Sequence, residues 1–508
     1  MPKNSDHYYI TTPIYYVNAA AHIGHAYTSI AADVMARFQR LCGKQVNFLT
    51  GTDEHGQKIA RAADAKGVGP QTFVDEISQT FRDLHVALGA SITDFIRTTE
   101  PRHIIGAQKF WEAAAAAGDI YKKTYEGLYC VGCEQFYIPK DLDAEGRCPI
   151  HLKVPELLQE ENYFFRLSKY SDALKKHFDE NPHFVFPQNR QKEMRQILED
   201  GLEDISISRS VEKLSWGIPV PGDDTQVMYV WFDALTNYVT AIGYGARDDS
   251  HDAFTSPWWP ADAHVMAKEI NRFHALLWPA MLLSAKLALP EQVVAHGWLT
   301  VDGQKMSKSL GNVVNPYDVI SKYGLDSFRF FLFREMPFGG DGDFSFTKLE
   351  ARYRADLQND LGNLLMRTIA MAIKFCDGKV PPTTPGTHEE LWHKYSEHMN
   401  RWEFQPALEI IWDYVRALNQ LIDREKPWTA AKEGRTADVE RTLYTILEGL
   451  RQIAIAVSPF MPETSQKMLA QLGFDYFDPK FDNLIEWGLL KSGGTLIAES
   501  PLFPQLAE

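Results

Sequence analysis

YYITTPIYYVNAAAHIGHAYTSIAADVMARFQRLCGKQVNFL, residues 8–49, is the stretch that decides the fold class. Residues 8–14 form an apolar run of strand type, and a polar loop follows. Helical spacing of Ile30, Val34, Phe38 and Leu41 predicts a helix over residues 24–41, stopped by Gly43. A second strand, 46–49, comes next. Strand, helix and strand in that order make a parallel βαβ unit, which points to an α/β nucleotide-binding fold. No G-x-G-x-x-G follows the first strand, so a dinucleotide cofactor is not expected.

Outward from this unit, the 508 residues are too many for one core, and several domains are expected. The α/β alternation breaks up over residues 117–224, which read as an insertion. It resumes with short strand-type runs at 227–230, 264–267 and 292–295, and a helix is expected over 271–287. From residue 346 strand signals vanish, and helical periodicity over 404–422 and 439–455 marks a separate all-α domain.

No apolar run approaches the roughly twenty residues that cross a bilayer, and residues 1–6 are polar, so neither a membrane span nor secretion is expected. Cys42 and Cys376 stand alone while Cys130, Cys133 and Cys148 cluster, a pattern for a metal rather than for disulfides. A reducing, cytoplasmic setting is the expectation. The net charge of −15 excludes a chain that coats nucleic acid by charge alone, and leaves room for a local basic face.

Two stretches carry phosphate chemistry. His22-Ile23-Gly24-His25 stands at the start of the first long helix, where backbone N–H groups and the helix dipole attract anions. Gly24 lets a nucleotide approach, and two imidazoles can donate to charge developing at phosphorus. The plainer alternative is two histidines that cap a helix and pack. Downstream, Asp302-Gly303-Gln304 leads into Lys305-Met306-Ser307-Lys308-Ser309, whose two lysines suit a pyrophosphate leaving group; the alternative is a solvated surface loop. In the insertion, Cys130-Val131-Gly132-Cys133 and Cys148-Pro149-Ile150-His151 supply three thiolates and an imidazole, a closed tetrahedral set for structural Zn²⁺. Unliganded cysteines are the alternative there.

The two phosphate motifs, in this order, match the signature pair of the class I aminoacyl-tRNA synthetases. Thr11-Thr12-Pro13-Ile14-Tyr15-Tyr16, Gly51-Thr52-Asp53-Glu54-His55-Gly56, Val230-Trp231-Phe232-Asp233-Ala234, Phe273-His274, Trp278-Pro279-Ala280-Met281 and His296-Gly297-Trp298 extend the match. On these residues the chain resembles the methionyl-tRNA synthetase family, bacterial type with a single zinc knuckle, over essentially its whole length. The resemblance implies a Rossmann-like parallel-sheet catalytic domain (1–116 and 225–300) and the zinc-bearing insertion (117–224). It further implies a loop and stem-contact region (301–345) and a helical anticodon-binding domain (346–508). It implies that Ile14, Tyr16, Asp53, Trp231, Ala234, Tyr238, Phe273 and His274 surround methionine, with Asp53 facing the ammonium and the aromatic rings facing the thioether.

By the same resemblance Gly24, His25, Glu269, Gly297, Trp298, Lys305 and Lys308 bind ATP with Mg²⁺, and His22, His25, Lys305 and Lys308 carry catalysis. The family often has Gly-Lys-Asp before its Phe-His pair, where this chain has Ala267-Lys268-Glu269, a carboxylate one methylene longer. Cys130, Cys133, Cys148 and His151 match the zinc ligands. Asn363, Arg367 and Trp428 match the anticodon readers; the first two are four residues apart, hence on one helix face, and a tryptophan can stack on an unpaired base. The implied partners are ATP, L-methionine and tRNA(Met). Relatives that dimerise often use a C-terminal extension absent here, so a monomer is expected. The rival readings are a class I synthetase for another amino acid, a non-catalytic tRNA-binding relative, and a small cytidylyltransferase, which would not need the helical domain.

Overall fold

Pro13 splits the first apolar run, since it has no N–H to give a ladder: β1 is His7–Thr11 and β2 is only Tyr15–Tyr16. The computed structural model describes residues 6–18, 21–133, 135–137, 139–246, 254–305, 312–475 and 480–506. Helix α1 spans Ile23–Leu41, and Gly43 at φ 85° turns the chain into β3 (Gln45–Asp53). Helices Gln57–Lys66 and Pro70–Ala87 lead to β4 (Asp94–Arg97), and helix Pro101–Ala116 follows.

The intervening chain folds on antiparallel ladders. β5 (Ile120–Cys130), β6 (Gln135–Tyr137), β7 (Glu156–Phe165) and β9 (Ile205–Ser206) form one sheet in the order β6-β5-β7-β9. Between β7 and β9 lies β8 (Val185–Phe186). β10 (Ser208–Ser210), β11 (Pro219–Val220) and β12 (Asp223–Met228) form a three-stranded sheet with β12 in the middle. β13 (Ala263–Ala267) and β14 (Val293–His296) then complete a seven-stranded sheet in the order β2-β3-β1-β13-β14-β8, with β4 paired to β3. The β1–β13, β13–β14, β14–β8, β2–β3 and β3–β4 pairings are parallel, as the βαβ reading requires. Tyr9, Leu49, Ile96, Phe110, Phe184, Val185, Met266, Trp278 and Val293 share its buried core.

One expectation is corrected and another refined. Residues 227–230 are not a strand of the parallel sheet: β12 ends at Met228 in the small antiparallel sheet, and Val230 opens the helix Val230–Leu235. A run of four apolar residues carries no period of its own, so its partners decide. The helix expected over 271–287 is present over 271–284, with a wide π turn (Phe273–Leu277) inside it before its last stretch, Trp278–Ser284; a 3₁₀ turn (Lys268–Ile270) precedes it. Pro279 lacks an N–H and crowds the carbonyl four residues back, and a widened turn relieves that clash.

The chain divides into two compact units, one of residues 1–21, 47–86 and 92–296, the other of 22–46, 87–91 and 297–508. In the second, β15 (Leu299–Val301) and β16 (Gln304–Lys305) form a hairpin, and β17 (Gly342–Phe344) runs parallel to β15. Helices dominate from Phe346 on, the longest being Phe404–Glu425 and Thr436–Val457. Among the described residues no helix is long and apolar enough to cross a membrane.

Candidate active site

The eight residues expected around the amino acid all lie in the first unit. Asp53 is the last residue of β3 and stands in register with Tyr16 on β2. The next residue, Glu54, is fully buried; its carboxylate accepts from Arg97 Nε and Nη2 (2.7 and 2.9 Å), Thr52 Oγ1 (2.6 Å) and Thr99 Oγ1 (2.5 Å). This bidentate, fully satisfied anchor fixes the backbone that presents Asp53. Ile14 lies in the break between β1 and β2.

The aromatic residues converge from two segments. Trp231 and Ala234 belong to helix Val230–Leu235, Tyr238 to helix Asn237–Thr240, and Phe273 and His274 to the wide turn. Trp231 stacks on Phe273 with centroids 4.0 Å apart, and His274 stands edge-on to Trp231 at 6.3 Å. His274 Nδ1 is 3.0 Å from the Ile270 carbonyl, which can only accept, so the ring proton is on Nδ1 and Nε2 accepts from Tyr238 Oη at 2.7 Å. Burial drives the His274 pKa down to about 4 and raises that of Tyr238, so both stay neutral at physiological pH.

The phosphate motifs lie in the second unit. His22 is the N-cap of α1: its Nδ1 accepts from Gly24 N at 3.1 Å, while His22 N donates to His25 Nδ1 at 3.1 Å. The two histidines therefore do cap the helix. With Nδ1 used as an acceptor on both rings, 3.9 Å apart, each neutral imidazole carries its proton on Nε2. Gly297 is a close-approach position, since a Cβ there would stand 2.0 Å from the Gly340 carbonyl oxygen. Trp298 is exposed, and its N–H donates to Asp341 at 2.8 Å. Lys305 ends β16 after a turn in which Asp302 and Gly303 both have positive φ (49° and 75°), the two-residue hairpin geometry. Lys308 lies outside the described residues. Glu269, in the first unit, sits exposed on the 3₁₀ turn after β13.

Cys130, Cys133, Cys148 and His151 bring one ligand atom each to within 4.8 Å of one another. Sγ of Cys133 is 3.4 Å from Sγ of Cys148 and 3.2 Å from Nδ1 of His151, near the edges of about 3.5–3.8 Å that bond lengths of about 2.0–2.3 Å give a tetrahedron. Cys130 and Cys148 are buried, and the Tyr137 hydroxyl touches Cys133 Sγ at 3.1 Å. Gly132 is required by this packing: a Cβ would lie 2.6 Å from the His151 ring. The donor set fits a metal ion.

Asn363 and Arg367 are both partly exposed on helix Asn363–Phe375, which continues a ten-residue π stretch, Tyr353–Gly362. Trp412 Nε1 and Asn419 Nδ2 donate to the carbonyls of Asp356 and Asp360 in that stretch. Arg367 reaches Asp423 at 3.5 Å, and Trp428 is 37% exposed after the left-handed Lys426, an unusual placement for so large an apolar ring.

The family described as tRNA synthetases class I (M) matches residues 8–153 and 139–369, and the anticodon-binding domain of tRNA ligase matches residues 385–486. A methionine--tRNA ligase of Fusobacterium nucleatum is 44% identical over 520 residues, spanning 100% of this chain and 80% of the relative. The chain belongs to the class I methionyl-tRNA synthetases. A second relative, the methionine--tRNA ligase of Thermosynechococcus vestitus, is 44% identical with 99% and 98% of the two chains covered. Mycobacterium tuberculosis methionyl-tRNA synthetase in complex with methionyl-adenylate superposes with a TM-score of 0.93 at 39% identity, covering 98% of this chain and 100% of that one.

In this methionyl-tRNA synthetase several side chains near the pocket carry no signal in the sequence. Arg97 on β4, which holds Glu54, lies in a strand with only two apolar residues and gave no signal. His264 Nε2 accepts from Trp278 Nε1 at 3.3 Å, so its Nδ1 donates to Thr11 at 2.8 Å, tying β13 to β1. His55 and Asp233 stood inside quoted motifs, yet their 2.6 Å contact needs the fold to bring them together.

Proposed function

We infer that this chain joins L-methionine to ATP, giving methionyl-adenylate and pyrophosphate, and then transfers methionine to the 3′ end of tRNA(Met). The observation that carries the choice of amino acid is the uncharged aromatic pocket. Trp231, Phe273, Tyr238 and a neutral His274 offer polarizable surface and no charge, which suits a thioether and disfavours acidic, basic or strongly hydrogen-bonding side chains. Asp53 receives the substrate ammonium; Tyr16, Ile14 and Ala234 close the pocket.

No protein nucleophile is needed, because the methionine carboxylate attacks the α-phosphorus directly. Nε2–H groups of His22 and His25 donate to charge at phosphorus, and Gly24 leaves room at the helix start. Lys305 and Lys308 hold the departing pyrophosphate, while Glu269, Gly297 and Trp298 bind the nucleoside part of ATP. Mg²⁺ supplies neutralisation of phosphate charge when it accompanies ATP. Cys130, Cys133, Cys148 and His151 hold structural Zn²⁺. Asn363, Arg367 and Trp428 read the anticodon by base-edge hydrogen bonds and stacking. Residues 1–116 with 225–300, 117–224, 301–345 and 346–508 act as catalytic, connective, loop and anticodon regions of a cytoplasmic monomer. Pyrophosphate exchange into ATP, measured with each of the twenty amino acids, is expected to respond to methionine far above the rest; a different preferred amino acid overturns the pocket assignment.

A further inference from the structure

Behind the pocket lies a buried cluster that binds no substrate in the scheme above. Asp233 is fully buried. Its Oδ2 accepts from His55 Nδ1 at 2.6 Å and its Oδ1 from His103 Nε2 at 2.7 Å, one imidazole on each oxygen. His103 is also fully buried, and its Nδ1 lies 2.9 Å from the Thr240 hydroxyl. Burial alone would raise the Asp233 carboxyl, yet His55 and His103 hold it below its ordinary value, so it accepts from both rings as a carboxylate.

Three segments meet at this one side chain. His55 stands two residues after Asp53, on the turn that leaves β3. Asp233 stands two residues after Trp231 and next to Ala234. His103 comes from helix Pro101–Ala116, which presses on the Tyr238 helix so closely that a Cβ on Gly106 would lie 2.4 Å from Thr240 Cγ2. The helix bearing the aromatic wall is thus joined to the segment bearing the anion by one short charge-assisted bond, from His55, and to helix Pro101–Ala116 by a second, from His103.

We propose that Asp233, clamped by His55 and His103, is a positioning residue that sets the distance between the ammonium site at Asp53 and the thioether wall at Trp231. The clamp is a length gauge: it selects the number of methylenes between Cα and sulfur. This rests on the reading of Asp53 and Trp231 as methionine-binding residues. A pocket distinguishes substrates that differ by one methylene by about 10–200-fold, and only if its two ends are held at fixed separation. Loosening the clamp therefore erodes discrimination and not merely turnover.

The test compares L-methionine with S-methyl-L-cysteine, whose sulfur is one methylene closer to Cα, in pyrophosphate exchange by the full chain, normalised to active sites by adenylate burst. In Asp233→Asn the ratio of the two kcat/KM values is expected to fall about tenfold. His103→Gln, which keeps a donor toward Asp233, gives an intermediate ratio and serves if the first variant does not fold. A residue that only stabilises the protein lowers the active fraction and leaves the ratio of the normalised kcat/KM values as it was, so an unchanged ratio in these variants overturns the gauge. Asp53→Asn and Trp231→Ala separate the two readings. If both leave the methionine KM unaltered, the site assignment falls and the gauge with it; if both raise it while the Asp233 ratio stays fixed, the gauge alone falls.

Discussion

Arg329→Met removes a fully buried and extensively paired charge of the second unit. Arg329 is fully buried; its Nε donates to Phe460 O at 2.9 Å, Nη1 to Leu88 O at 3.1 Å and Nη2 to Pro459 O at 2.9 Å, and Nη2 lies 2.7 Å from Asp33 on α1. Asp33 keeps Arg37 Nε at 2.7 Å and the N–H and hydroxyl of Ser91 at 2.6 Å each, so the variant does not strand a bare carboxylate. It does strand three buried carbonyls. Breaking a buried pair by removing one partner costs about 3–5 kcal/mol, and retained partners for Asp33 are offset by the lost carbonyl bonds, so a loss of about 3–5 kcal/mol is expected. At about 2–4 °C per kcal/mol for units of roughly this size, the melting point falls by about 6–20 °C. Because α1 carries His22 and His25, pyrophosphate exchange is expected to fall as well. Urea unfolding of Arg329→Met, Asp33→Asn and the double variant provides the measurement, with a coupling of about 2 kcal/mol expected between the two sites. A loss below about 1 kcal/mol, or single losses that simply add, would show that the pair is not the fastening it looks like.

Three further outcomes are expected. Trp428→Ala should lower aminoacylation about 5- to 150-fold, the range for losing one base–aromatic stack, and leave pyrophosphate exchange near its original rate; equal losses in both contradict an anticodon role. Gly132→Ala should weaken metal retention, because the new Cβ meets the His151 ring; metal analysis after chelator treatment that finds one zinc per chain in both proteins refutes it. His274, pushed down to about 4 from 6.5, is neutral in the folded state while the unfolded chain binds a proton below pH 6.5. Its share of stability is complete above pH 6.5 and declines as pH falls toward about 4, by up to about 3 kcal/mol. Urea midpoints at pH 7 and pH 5 should differ less in His274→Asn than in the parent, and an identical pH slope would rule this out.

Legibility in the sequence followed the length over which a signal repeats. Helix α1 was readable because nineteen residues carry a 3.6-residue period and a Gly stop, and β13 and β14 were readable as short apolar runs of strand type. β8 was invisible, because a two-residue strand has no period and exists only through its register with Val293 and Val294. Val230 reads as strand for the same reason, since the helix it opens is completed by Phe232, Ala234 and Leu235 beyond the run. The metal cluster was legible because its four ligands sit at short fixed spacings. Asp233 with its two histidines was not, because His55 lies 178 residues and His103 130 residues away from it along the chain.

The two-residue strand β8 has a consequence for anyone wishing to trim this protein. Val185 and Phe186 come from the stretch between the halves of the α/β fold, and Val185 with Phe178, Phe184, Met194 and Leu198 closes one flank of its apolar interior. Cutting out that stretch to obtain a minimal adenylate-forming enzyme would leave Val293 and Val294 with unpaired main-chain groups and a greasy rim open to neighbouring molecules. A miniaturised version should therefore keep residues 184–198 or redesign the rim with charges, and a version that does neither should come out of the cell as aggregate.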